Sequence, residues 1–189
     1  MRTLLRFSLG AACALLVTLA VPAGAAAQSS IGSSMPAASL SSLAGNNATA
    51  VIFWSNQCPW TKKYEQRVFD LASKYERQGV QFVLVNSNSA SDFPKESLSA
   101  SEEQAGHYPV PYLKDRSGQV AEAFGAKRTP HVFVYNGQGQ LAYTGAVDDS
   151  PGDPSAAEKP YLANALQALT SGNAPSTAQT NAFGCVLKK

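Results

Sequence analysis

Cys58 and Pro59 are the adjacent residues in this 189-residue chain with the clearest capacity for chemistry. They lie in Trp54-Ser55-Asn56-Gln57-Cys58-Pro59-Trp60, between the apolar run Ala50-Val51-Ile52-Phe53 and a long amphipathic segment. A strand handing over to a helix here puts the thiol above the free N–H groups of the first helical turn. Those donors and the helix dipole favour a thiolate over a thiol. Pro59 suits the first helical position, where its missing N–H costs nothing. The plainer alternative is a structural cysteine that packs as a small hydrophobe.

The other cysteines are Cys13 and Cys185. Cys13 falls in residues 1–27, which read as a secretory signal: Arg2 and Arg6 open it, Leu9 to Val21 is apolar, and Ala25-Ala26-Ala27 precede Gln28. A retained N-terminal anchor is the alternative. After removal of the signal, two cysteines remain, an even count that permits one disulfide in an exported protein. Only the path of the tail decides whether Cys185 meets Cys58. His107 and His131 do not combine with the cysteines at metal-ligand spacing. No metal or organic cofactor is expected.

Taking Arg2 and Arg6 from the 15 basic residues leaves 13, against 13 acidic ones. A neutral surface exerts no long-range pull on nucleic acid or anionic lipid. Neither nucleic acid nor, after signal removal, a stable membrane anchor is expected among the partners.

The elements that must position Cys58 follow from periodicity. Residues 28–47 read as a flexible lead-in rich in Ser, Ala and Gly, with a short strand around Ser39–Leu43. Ala50–Trp54 reads as a strand buried on both faces. From Pro59, the spacing of Trp60, Tyr64, Val68, Leu71 and Tyr75 predicts one face of a helix that Gly79 stops. Lys62, Lys63, Glu65, Gln66, Arg67 and Lys74 fill its solvated side. Val80–Val85 is a second buried strand, so the unit is βαβ with parallel strands and a right-handed crossover. The polar loop 86–91 lies at the strand end where open α/β sheets place their sites.

Pro94 to Gly106, with Glu96, Glu102 and Glu103, reads as a short surface helix. A short strand at Val110–Leu113 and a short helix at Gln119–Phe124 ending at Gly125 come next. In Arg128-Thr129-Pro130-His131-Val132-Phe133-Val134-Tyr135, Pro130 marks a strand start, and its peptide bond is a candidate for the cis form. Asn136-Gly137-Gln138-Gly139 signals a hairpin to Leu141–Gly145. Pro160–Thr170 is a closing amphipathic helix, and residues 171–189 form a tail carrying Cys185. The fold class is α/β, one central mixed sheet with helices on both faces, in a domain spanning 48–170.

This order resembles the thioredoxin fold. More narrowly it resembles the redoxin branch that includes alkyl hydroperoxide reductase and thiol-specific antioxidant proteins. The residues that carry the likeness are Phe53 to Trp60, Val120-Ala121-Glu122-Ala123-Phe124-Gly125-Ala126, Arg128 to Phe133, and Tyr143-Thr144-Gly145-Ala146-Val147-Asp148-Asp149. The closing Gly184-Cys185 resembles the ending of some exported redoxin-like proteins. The resemblance implies that Thr129 and Pro130 face Cys58 across a substrate groove, with the Thr129 backbone pairing an extended peptide. Trp54, Pro59 and Trp60 would complete that groove.

The chain departs from the dithiol pattern: Ser55, not cysteine, stands three residues before Cys58. A serine hydroxyl cannot perform thiol exchange at neutral pH. Ser55-x-x-Cys58-Pro59 resembles instead the hydroxyl-x-x-Cys core of peroxiredoxins. That likeness implies Ser55 as the peroxide-polarising hydroxyl, Cys185 as the resolving thiol and Arg128 as the cation at the sulfur. Val51 stands where peroxiredoxins usually carry proline.

Two functions remain open on the sequence. One is an exported thiol oxidoreductase with Cys58 as its single nucleophile, reducing peroxide or exchanging with a protein thiol or disulfide, and restored by an external thiol reductant. The other is a catalytically degenerate peptide-binding module with a structural Cys58–Cys185 disulfide.

Overall fold

A computed structural model describes residues 29–36, 40, 42–91 and 93–188. The signal expected at 1–27 lies outside them. The elements are β1 (Ala48–Phe53), α1 (Pro59–Glu76), β2 (Val80–Asn86), a 3₁₀ turn (Pro94–Glu96), α2 (Leu98–Ala105), β3 (Tyr112–Lys114), α3 (Gln119–Phe124), β4 (Arg128–Thr129), β5 (His131–Asn136), β6 (Leu141–Gly145), a second 3₁₀ turn (Pro154–Ala156), α4 (Tyr161–Thr170) and β7 (Cys185–Val186).

Five strands form one sheet in the order β3-β2-β1-β5-β6. β1 pairs parallel with β2 and antiparallel with β5, so the sheet is mixed and β1 lies at its centre. Every residue of β1 is buried, which is why Ala50–Phe53 reads as an unbroken apolar run. Its side chains alternate between two cores. Ala48, Ala50 and Ile52 pack with Tyr64, Val68 and Tyr75 of α1 and Leu162 and Leu166 of α4. Val51 and Phe53 pack on the other face with Ala121 and Phe124 of α3. Phe53, Phe124 and Phe133 meet edge to face there, with centroids 5.3–5.7 Å apart. This is the α/β, thioredoxin-like architecture with helices on both faces.

Several local expectations need correction. The buried face of α1 is Thr61, Tyr64, Val68, Ala72 and Tyr75, rotated slightly from the expected stripe, so Trp60 and Leu71 lie at its margin. Arg67 is not solvated. Its guanidinium donates to Asp148 Oδ2 at 2.6 Å and to the carbonyls of Ser150 and Pro151, fixing the loop after β6. Glu96 is not on the surface but 2% exposed. No strand runs through 39–43 among the described residues there: Leu40 is helical and Ser42 and Leu43 form a turn. The described lead-in instead hydrogen-bonds β6, with Gly32 N donating to the Leu141 carbonyl and Leu141 N to that of Ser33.

Candidate active site

The end of β1 and the start of α1 place the cysteine. Trp54 N donates to the Val85 carbonyl at 2.8 Å, continuing the ladder one residue past β1. Cys58 is then the N-cap residue of α1, in extended conformation, with Pro59 at the first helical position. Its carbonyl accepts from Lys62 N at 3.3 Å and from the Thr61 hydroxyl at 2.7 Å. The sulfur therefore sits over the open end of an 18-residue helix. The Thr129–Pro130 bond is cis, and the Thr129 carbonyl oxygen lies 3.1 Å from Cys58 Sγ.

The tail reaches this point. Cys58 and Cys185 form a disulfide, their Cα atoms 6.0 Å apart across a sequence separation of 127. β7 pairs antiparallel with β4, Thr129 opposite Cys185 and Arg128 opposite Val186. Leu187 N donates to the Lys127 carbonyl at 3.0 Å, and Ser89 N to that of Lys188 at 2.8 Å. Phe183 stacks edge-on against Trp60 with centroids 4.8 Å apart. Cys58 is 4% exposed beneath this cover, while Cys185 is only half-buried.

A buried carboxylate holds the loop before the sulfur. Glu96 accepts from the Ser55 hydroxyl at 2.5 Å, from Asn56 N and Gln57 N at 3.1 Å each, and from the Asn86 amide at 2.7 Å. The Ser55 oxygen in turn accepts from Cys58 N at 2.9 Å. Tyr112 donates to Asn56 Oδ1 at 2.7 Å, and burial, with the Glu96 charge next, pushes its hydroxyl pKa well above the ordinary phenol value. Lys114 donates to the Asn88 carbonyl at 2.5 Å, and burial lowers its pKa.

Cys58, Cys185, Pro59, Trp60, Thr129 and Pro130 thus come together. Trp54 is buried behind them in the first core rather than open on the groove. The single proton of Ser55 is given to Glu96. The Arg128 guanidinium donates to the Gly184 carbonyl at 2.9 Å, toward the tail. Sequence reasoning missed Glu96 and Asn86, whose burial no local pattern announces. It also missed His131, one residue past Pro130. Its Nδ1 accepts from Lys127 N at 3.3 Å, so Nε2 carries the proton and donates to Thr144 Oγ1 at 3.2 Å. Burial, and then the Lys127 charge, push His131 down to about 4. Among the described residues no three His, Cys, Asp or Glu side chains gather as a metal site.

Residues 27–144 match the AhpC/TSA family. The chain belongs to the AhpC/TSA family. A hypothetical protein of Sinorhizobium meliloti is 32% identical over 84% of this chain and 94% of its own, with a TM-score of 0.76. An uncharacterized conserved protein of Geobacillus kaustophilus is 29% identical over 85% and 92%, with a TM-score of 0.78. A thioredoxin-like protein solved in its oxidized form, 19% identical over 75% and 97%, superposes with a TM-score of 0.60 and shares the fold. No curated protein matches the chain. The family match ends before the tail, so Cys185 lies outside it.

Proposed function

We propose that this AhpC/TSA-family protein is an exported thiol–disulfide oxidoreductase that cycles through the Cys58–Cys185 disulfide. The observation that carries the reading is that disulfide, with one sulfur at a helix N-terminus and the other on a strand of two residues. A 1–27 signal and a disulfide fit an oxidising compartment. No helix among the described residues is long and apolar enough to cross a membrane.

The chemistry follows from unequal access. A thiolate of an external dithiol attacks the more open Cys185 Sγ; the S–S bond breaks and Cys58 leaves as a thiolate, which the helix N-terminus stabilises. The second thiol of the reductant resolves the mixed disulfide and frees Cys185. Two electrons and two protons pass to the protein, and the reductant departs as its disulfide. Cys58 then attacks a substrate disulfide, and Cys185 resolves that intermediate.

Exchange fits this site better than peroxide reduction. Ser55 has spent its proton on Glu96, and Arg128 is turned to Gly184, so neither group is aimed at a peroxide on the sulfur. The near-complete cover over Cys58 favours a second reading, a peptide-binding module with a permanent disulfide.

One measurement separates them. The protein is titrated against a thiol couple while alkylation counts free cysteines, and dithiol-driven reduction of a disulfide substrate is followed. Exchange predicts a midpoint above about −300 mV and turnover that Cys58→Ser abolishes. A disulfide reduced only below that potential, or turnover unchanged in Cys58→Ser, rejects it.

A further inference from the structure

The chain end does more than bring a cysteine to Cys58. A structural staple needs only a Cα separation below about 7 Å. Here the residues from Phe183 to Lys188 are read almost one by one. The Phe183 ring lies against Trp60. Gly184 sits at φ +148°, where a side chain would run into the Thr129 carbonyl oxygen and come within 3.0 Å of Pro130 Cδ. The Gly184 carbonyl accepts from Arg128. Cys185 faces Thr129 in the two-residue ladder. Val186 is 57% exposed and unread. Leu187 is buried in the second core, and Lys188 N donates to Asn88 Oδ1 at 2.8 Å.

We propose that this segment is an internal copy of the groove's ligand: an extended peptide of pattern aromatic-glycine-cysteine-any-apolar, which takes the tail's place once the Cys58–Cys185 bond is opened. The inference rests on the exchange reading and adds to it the substrate class. The backbone edge of β4 and the 86–91 loop lose their partners when the tail leaves, and an incoming strand restores them. Selectivity lies at two positions. Glycine before the cysteine is required by the Thr129 carbonyl, and the aromatic residue before that is held by Trp60.

The test uses peptides whose cysteine is activated as a mixed disulfide with thionitrobenzoate. The Cys58 thiolate attacks the peptide sulfur, the bond to thionitrobenzoate breaks, and that group leaves with the electron pair as a coloured thiolate. The Cys185→Ser chain is compared with the Cys58→Ser/Cys185→Ser chain as the blank. The native chain, reduced with a dithiol and desalted, serves as the second source of free Cys58. Acetyl-Phe-Gly-Cys-Val-Leu-amide is expected to react at least about tenfold faster than the same peptide with valine for glycine. It should react about threefold or more faster than the peptide with alanine for phenylalanine. The oxidised native chain should not react. The small aryl disulfide dithiobis-nitrobenzoate, used alone, reports Cys58 exchange without the groove. If that reagent reacts while the three peptides react equally, the proposal is overturned and the exchange reading stands. If the reagent itself fails on both forms of free Cys58, the exchange reading falls and takes the proposal with it.

Discussion

The two sides of Cys58 are held in opposite ways. On the side that precedes it, Ser55–Gln57 are gripped by Glu96 through hydrogen bonds to a buried carboxylate. On the side that covers it, the tail is held by one covalent bond, a two-residue ladder, the Phe183 ring contact, the burial of Leu187 and hydrogen bonds at Gly184, Leu187 and Lys188. The first grip involves residues between strands and helices of the domain and has no reason to open. The second hangs on a bond that a thiol can cut. The contrast separates what aims the sulfur from what shuts it away, and it can be broken at either end.

The largest effect is expected at Glu96. Glu96→Ala strands the Ser55 hydroxyl and the Asn56 N–H, leaves Gln57 N only the Ser55 oxygen and removes an acceptor of the Asn86 amide, a loss of about 4 kcal/mol. Denaturant unfolding should show it, with the slope m unchanged. Glu96→Gln keeps an acceptor oxygen and should recover about half of that loss. Equal stability of Glu96→Ala and the native chain would mean that the carboxylate does not hold the loop.

Opening the other side comes next. Cys185→Ser removes a bond that spans 127 residues and should cost about 3 kcal/mol, mainly by freeing the unfolded chain. Hydrogen exchange should then rise sharply at Leu187 N and Ser89 N, both bonded across the tail contact, and much less at the amides of β1. Uniform acceleration across the sheet would show that the tail belongs to the domain core and is not a removable cover.

The smallest effect is set by pH. His131 is held near 4, below its ordinary value of 6.5, so the unfolded chain binds a proton first as pH falls. Stability is therefore complete above about pH 6.5 and declines down to about pH 4. His131→Gln should flatten that window in thermal melts taken across it. Since His131 Nδ1 accepts from Lys127 N, and the Lys127 carbonyl holds Leu187 N of the tail, acid should loosen the covering side before the Glu96 side.

Much of the frame around this site was legible in the linear chain. Ala50–Phe53 and Phe82–Val85 are apolar without interruption because both sheet faces are covered, and the βαβ order followed directly. Cys58-Pro59 announced a helix start, and Thr129-Pro130 the strand opposite. What misled was single residues whose burial depends on partners far away. Arg67 lies on the polar side of its helix, yet Asp148, 81 positions on, draws it into an ion pair. Glu96 lies in a polar stretch, yet it folds back 40 positions onto the cysteine loop.

The amino-acid order alone determined the sheet, the helix carrying Cys58 and the shortage of a second cysteine within that motif, because periodicity and local capping act over a few residues. Only the tertiary structure decided that Cys185 is bonded to Cys58 and that the tail lies as a strand against Thr129. The reason is physical: a contact closed across 127 residues leaves no periodic trace in the chain and exists only where the folded sheet offers an open edge.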